Sequence, residues 1–180
     1  MKKGLVILLI VLVVIAIAWI SISNNLVVMS EKISQNQSEI DNQLKRRADL
    51  IPNLVSTVKG LTAQEQKLVD SVTSARAKMA TGTTQDKLNA NTELTKSLNI
   101  LVENYPVLKS DTAFVSLMDE IAGSENRVAV ARKAYNDEVG LFNAKIRTFP
   151  TKIIASMSGF TAKSYLEVST EDKNVPEVKF

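Results

Sequence analysis

The sequence predicts an all-α protein, an antiparallel up-and-down bundle of about four helices carried behind an N-terminal transmembrane helix. Three observations lead there. Gly4 to Ile22 is an almost unbroken apolar run, preceded only by Met1, Lys2 and Lys3. Beyond it, apolar residues recur at helical spacing along nearly the whole chain. No stretch is strand-rich, and there is no internal repeat or low-complexity tract.

The apolar run has the length a helix needs to cross a bilayer core, where every backbone group must be bonded within its own segment. Ala16-Ile17-Ala18 also has the small-residue pattern of a signal-peptide cleavage site. The run exceeds an ordinary signal h-region, however, and cleavage after Ala18 would leave Trp19-Ile20 at the new terminus, so an uncleaved anchor is the reading taken. Lys2 and Lys3 place the N-terminus in the cytoplasm and the bulk of the chain outside it, with no charge on the far side until Glu31 and Lys32. The expected arrangement is therefore single-pass, with the N-terminus cytoplasmic and the helical domain extracytoplasmic.

Between Leu5 and Ile51 there is neither Gly nor Pro. Leu26, Ile33 and Ile40 recur every seven residues, with Met29 and Leu44 near the same stripe, so the anchor is expected to run directly into the first helix of the domain. Pro52 disfavours an α conformation at Ile51 and predicts a kink or a helix start there. A second helix carries Leu54, Val58, Leu61, Leu68, Val72, Ala75 and Met79, and ends at Thr81-Gly82-Thr83-Thr84. A third, from about Gln85, uses Leu88, Leu94, Leu98, Leu101 and Tyr105 and stops at Pro106. Ser110-Asp111-Thr112 supplies N-cap residues for a fourth helix, which reaches about Arg147 through Phe114, Leu117, Met118, Ile121, Val128, Tyr135, Val139, Phe142 and Ile146. Pro150 suits the start of a short helix through Ile153, Ile154 and Ala155. The last 20 residues lack helical period and read as an extended tail. The expected division is an anchor over 1–24, a bundle over 25–150, and a short helix with tail over 151–180.

Composition excludes several function classes. The net charge of +3 includes Lys2 and Lys3, and residues 23–180 balance 20 basic against 19 acidic side chains, so a sequence pI near 9.1 is no argument for nucleic-acid binding. Without Cys there is no disulfide or thiolate chemistry, and without His the commonest general base and metal ligand is missing. Gly-rich phosphate loops and calcium-loop spacing are also absent. No catalytic residue, cofactor or metal site is expected.

The most specific local signal is charge on the apolar seams. Sevenfold spacing puts Arg47 in series with Leu26, Ile33 and Ile40, and Glu65 in series with Val58, Val72 and Met79, with Arg76 following three turns on. It also puts Glu125 and Arg132 in series with Met118, Val139 and Ile146. Charges on an apolar seam are costly unless paired, so these residues are expected to meet across helices as a polar lock that fixes register. With Asp49, they are the structural or partner-binding candidates. The sharper alternative is a ligand pocket built on Glu65 and Glu125. Lys45-Arg46-Arg47 is flanked by Asp41 and Asp49 and reads as a solvated helix end with Arg47 turned inward. Asn36-Gln37-Ser38 fits a glycosylation acceptor but lies mid-helix. Tyr105, Tyr135, Phe142 and Phe149 read as core aromatics.

Lys45-Arg-Arg-Ala-Asp-Leu-Ile-Pro-Asn-Leu-Val-Ser-Thr-Val-Lys-Gly resembles the signature of the LemA family. It is followed at matching distances by Glu65, Ala75-Arg76, Glu103-Asn-Tyr-Pro-Val-Leu-Lys, Glu125-Asn-Arg, Ala131-Arg-Lys-Ala-Tyr-Asn, Phe142-Asn, Ile146-Arg-Thr-Phe-Pro and Pro176-Glu-Val-Lys-Phe. The resemblance covers essentially the whole chain and implies a bacterial membrane protein with an antiparallel helical bundle. It thereby implies that the membrane is the bacterial cytoplasmic (inner) membrane, which would make the domain periplasmic if the cell has an outer membrane. Ala48 departs from an aromatic often found there, and Leu61 from the usual Tyr. Arg47, Glu65, Arg76, Glu125 and Arg132 all fall on motif positions. The family brings no established reaction to carry over. Association of some relatives with membrane-compartment organisation suggests a scaffold, by analogy only. The expected function is thus an extracytoplasmic scaffold or interaction protein whose partners are the lipid bilayer and a protein or second copy, with no nucleic acid. The alternative is an envelope small-ligand or glycan sensor around Glu65 and Glu125, and an enzyme is the least favoured class.

Overall fold

The computed structural model describes residues 2–57 and 66–167, all helical or irregular, with no strand among the described residues. Five α-helices follow one another: α1 (Lys2–Thr57), α2 (Gln66–Ala80), α3 (Thr84–Asn104), α4 (Thr112–Lys145) and α5 (Thr151–Met157). A 3-10 turn, Pro106–Ser110, links α3 to α4. The chain forms two compact units, Met1–Asn36 with Ala134–Tyr165 and Gln37–Lys133 with Leu166–Phe180.

The first unit begins with the apolar part of α1. Its 18-residue window of mean hydropathy 3.4 contains no buried residue, and the helix is long and apolar enough to cross a membrane. Beyond it, Leu26 and Ile33 are buried, as are Tyr135, Val139 and Phe142 of α4. Asn36 donates to the Ala134 carbonyl at 3.2 Å, and Lys32 pairs with Glu138. These partners step in opposite directions, so the two helices are antiparallel. The expected short helix is present as α5, which buries Thr151, Ile154 and Ala155. Phe149, expected in the core, is instead 83% exposed, because α4 ends at Lys145 and the turn that follows throws it outward.

The irregular segment after α5 has no strand partner, so its backbone groups bond to side chains or to water. Asn143, 6% exposed, supplies both: its Nδ2 donates to the Lys163 carbonyl and its Oδ1 accepts from the Lys163 N–H, each at 2.8 Å. Tyr135 Oη donates to the Ser164 carbonyl at 3.2 Å. Burial raises the Tyr135 phenol above its ordinary value, which keeps it a donor. Phe160 meets Phe142 edge to face. Asn143→Ala is expected to cost about 1–2 kcal/mol, moderated because water reaches exposed Lys163, and to loosen residues 160–165. Amide exchange at Lys163 checks it: unchanged protection would contradict the pin.

In the second unit the remainder of α1 packs with α2, α3 and the first part of α4. Arg76 of α2 reaches Ala48; Gln37 and Arg47 of α1 reach Thr84 and Asn91 of α3 in ascending order; Arg46 and Gln43 reach Glu120 and Arg127 of α4 in opposite order. This is an up-down-up-down arrangement. Its core holds Ile40, Leu44, Ile51, Leu54, Val72, Met79, Leu94, Leu98, Phe114, Ile121 and Val128. The α1 heptad runs unbroken through Leu26, Ile33, Ile40, Arg47 and Leu54, each 3% exposed or less.

Two boundaries repay comparison with the sequence. Of the kink or helix start expected at Pro52, the helix start does not occur, since Pro52 lies inside α1. The tail expected over the last 20 residues is non-helical as far as it is described, through 167, and Val58 and Leu61, expected on the second helix, lie outside the described residues. Gly82, at φ +88°, turns the chain from α2 into α3. Thr83 caps α3: its Oγ accepts from the Asp86 N–H while Asp86 Oδ2 accepts from the Thr83 N–H, a reciprocal capping box. At the start of α4, Asp111 Oδ1 accepts from the N–H groups of Ala113 and Phe114, the cap the sequence suggested.

The Thr83 hydrogen bonds hold the Asp86 carboxylate below its ordinary value of 3.8. A carboxylate lowered on folding stabilises above its unfolded value and loses that contribution as pH falls through the folded one. Asp86→Asn is therefore expected to flatten the acid limb of the stability curve below about pH 4 and leave its neutral shape unchanged. Denaturation midpoints across that range check it, and an unaltered acid limb would contradict it.

Candidate functional site

The second unit buries a guanidinium. Arg47 is 1% exposed, on a helix face otherwise lined by Ile40, Leu44 and Ile51. Its Nη1 donates to Asn91 Oδ1 at 2.7 Å, and its Nη2 to Thr95 Oγ1 at 2.8 Å and Glu125 Oε2 at 3.2 Å. Thr95 lies 3.2 Å from both Glu125 oxygens. Burial lowers the Arg47 pKa and Glu125 opposes that shift by charge and hydrogen bond. The Glu125 side chain, by contrast, is 41% exposed. The cluster is thus a buried cation held by two neutral oxygens and one carboxylate that still touches water. Arg47 Nε is buried without a partner, so the site is incompletely satisfied.

The structure brings together Arg47 and Glu125 and leaves Asp49, Arg76 and Arg132 elsewhere. Asp49 is exposed, outside the seam. Arg132 is half-buried and forms no ion pair among the described residues. The reason lies in the phase of α4. Its buried line is Phe114, Ile121, Val128, Tyr135 and Phe142, while Met118, Glu125 and Arg132 follow a neighbouring line at the edge. Two sevenfold series run side by side on this helix, and the charged one is the shallower over residues 118–132, although its continuation through Val139 and Ile146 is buried. Glu65 lies outside the described residues, so the pocket expected between it and Glu125 has no described counterpart.

Arg76 has a different role. Its Nε donates to the Ala48 carbonyl at 3.1 Å. Ala48 stands four residues before Pro52, whose ring nitrogen cannot make the helical bond to that carbonyl. A guanidinium from α2 replaces the missing donor, which lets α1 continue past its proline.

A groove of about 580 Å³ opens beside this contact, lined by Asp41, Lys45, Asp49, Arg76, Ala77 and Lys87 among others. Lys87 and Asp41 pair across it at 3.0 Å, and Thr84 Oγ1, buried at the start of α3, accepts from Gln37 Nε2 at 3.0 Å. Asp41 and Asp49 with Lys45, Arg76 and Lys87 give the lining both signs of charge, beside the apolar Ala48, Ala77, Met79 and Ala80.

Sequence reasoning missed Asn91 and Thr95, the neutral oxygens on Arg47. A signal was present: Asn91 interrupts the apolar face of α3 between Leu88 and Leu94, as Arg47 interrupts that of α1. It also missed Arg127, whose Nε donates to Gln43 Oε1 at 3.3 Å and whose Nη2 is buried without a partner.

Comparison with known proteins gives a consistent picture. The model of the LemA family matches residues 36–180. Magnetosome proteins MamQ 1 and MamQ 2 of Paramagnetospirillum magneticum are each 22% identical to the chain, over 80% of it and 64% of their own length. Magnetosome protein MamQ of Magnetospirillum gryphiswaldense is 28% identical over 68 residues, 38% of this chain and 25% of the relative. The chain therefore spans 64% of the length of the first two relatives.

Proposed function

The chain belongs to the LemA family, and from that premise we propose that it is a non-catalytic scaffold, anchored by α1 and engaging a protein partner or a second copy through the surfaces of its helices. The observation that carries this reading is the wholly exposed apolar window at the head of a chain whose remaining described residues form packed helices. Apolar residues exposed over that length are stable only in lipid or against another chain. The similarity to magnetosome proteins supports a membrane-associated role. The balanced charge of residues 23–180 supports protein and lipid partners over nucleic acid.

In this proposal the N-terminus is cytoplasmic and the helical units lie outside the inner membrane, from the flanking charges Lys2 and Lys3. Crosslinking in native membranes tests the scaffold: a recurrent protein partner or a homo-oligomer is expected, and a strictly monomeric, partnerless chain would sink it. Because the chain has no Cys, single cysteines at exposed sites such as Val107 report topology cleanly. Labelling of intact cells by an impermeant maleimide is expected, after outer-membrane permeabilisation where there is one, and protection until lysis would reverse the orientation.

The groove favours a second reading, a sensor for a small polar ligand, now centred on Lys45, Asp49 and Arg76 instead of Glu65 and Glu125. A ligand-specific thermal shift against envelope metabolites that disappears in Lys45→Ala would favour it over the scaffold.

A further inference from the structure

The first unit carries an exposed apolar face with a charge pattern around it. Helix α5 buries Thr151, Ile154 and Ala155, and leaves Phe149, Ile153 and Met157 at 83%, 52% and 71% exposure. Ile153 and Met157, four residues apart, form one stripe along α5, and Phe149 stands exposed in the turn that leads into the helix. Around the stripe the charge is of one sign. Between Glu138 and Glu167 there is no acidic residue, while Lys145, Arg147, Lys152 and Lys163 are all exposed and form no ion pair among the described residues. Large apolar side chains rimmed by uncompensated cations are the pattern of an element that lies in the headgroup region of an anionic bilayer.

The register of the same unit brings this face to the right height. Asn36 meets Ala134 and Lys32 meets Glu138, four residues down one helix and four up the other. Continued by seven residues, the pairing sets Lys145, the last residue of α4, level with Asn25. Asn25 closes the short polar stretch of Ser21, Ser23, Asn24 and Asn25 that follows the apolar run. Residues 3–18 are all exposed, and Trp19 is the first to be half-covered, so the protein's own packing begins where the lipid-facing segment ends. Tryptophan at that point also suits a membrane interface.

We propose that the turn after α4 and helix α5 rest on the bilayer that α1 crosses, with Phe149, Ile153 and Met157 entering the interface and Lys145, Arg147 and Lys152 facing anionic headgroups. The proposal rests on the reading of α1 as a spanning helix. Single-helix anchoring leaves a domain free to tilt, and a second, interfacial contact removes that freedom. Shallow burial of the stripe and attraction to headgroups add to each other, as in other interfacial helices.

Site-specific fluorescence on the full chain tests it. Phe149→Cys, Ile153→Cys, Ala134→Cys and Val11→Cys are each labelled with a polarity-sensitive dye and reconstituted into phosphatidylcholine vesicles with or without phosphatidylglycerol. Labels at 149 and 153 are expected to shift to the blue and lose emission to a nitroxide carried near the lipid headgroup, more so with phosphatidylglycerol. The label at 134 is expected to be unaffected, and the one at 11 to respond to a nitroxide deep in the acyl chains. Joint replacement Lys145→Gln, Arg147→Gln and Lys152→Gln is expected to abolish the phosphatidylglycerol dependence at 153. The proposal is overturned if labels at 149 and 153 behave like the one at 134 while the label at 11 is quenched. It is equally overturned if their shift follows protein density in the bilayer and not the lipid quencher, which assigns the stripe to a second copy. Loss of quenching at 11 as well would remove the anchor, and this inference with it.

Discussion

Arg47→Ala is expected to be the most damaging single substitution in the second unit, lowering stability by about 3–5 kcal/mol. Two effects add. Removing the side chain leaves a cavity among Ile40, Leu44, Ile51 and Leu94, all buried, and it strands Asn91 Oδ1, which is buried with its residue at 6% exposure. Glu125→Ala removes the opposite partner and is expected to cost less, about 1–2 kcal/mol. Its side chain is 41% exposed, so water enters beside the guanidinium, and Asn91 and Thr95 still hold Arg47. A full buried-pair penalty for Glu125, which its place on a heptad seam suggests, does not apply to a carboxylate at the edge. Urea unfolding of the detergent-solubilised full chain checks the order of the two variants. Equal losses would mean that the pair, not the buried cation with its neutral partners, holds the helices. Arg47→Met with Asn91→Leu refills the site with apolar volume and is expected to recover most of the loss, as replaced buried ion pairs do.

How far this was legible in the sequence depends on whether each fact is local. The buried α1 line from Leu26 to Leu54 is a repeat of seven within one helix, and it carried Arg47 into the core by counting alone. Glu125 was placed next to Arg47 by the same counting, but its depth was not. Both the Phe114 and the Met118 series of α4 carry apolar residues at sevenfold spacing, and only the neighbours met in three dimensions make the first core throughout while the second is rim at Met118, Glu125 and Arg132 and core at Val139 and Ile146. Phe149 misleads in the same way: an aromatic near the end of an apolar stripe reads as core, until the helix ends at Lys145 and turns it out. Asn91, Thr95 and Asn143 escaped because neutral polar side chains carry no charge to betray an apolar position. Their roles come from partners 44, 48 and 20 residues away.

At Pro52 the helix continues where a helix start was one of two expectations, for a reason that can be isolated. A proline inside a helix costs about 3 kcal/mol, partly because the carbonyl four residues back loses its donor. Here that carbonyl belongs to Ala48, 7% exposed, and Arg76 Nε occupies the vacant position at 3.1 Å. Arg76→Met is therefore expected to cost about 2–3 kcal/mol, the value of a charge-assisted hydrogen bond together with a stranded carbonyl. Pro52→Ala restores the N–H within the helix, after which the carbonyl no longer depends on α2. In that background Arg76→Met is expected to cost close to nothing, so the double-mutant cycle should show a coupling of about 2 kcal/mol between residues that share no direct bond. Additive losses would refute the substitution of one donor for another, and would assign Arg76 to the groove it lines with Asp49 and Lys45. A positive coupling would instead explain why an arginine on α2 accompanies a proline on α1: the guanidinium permits one continuous helix where the proline alone would end it.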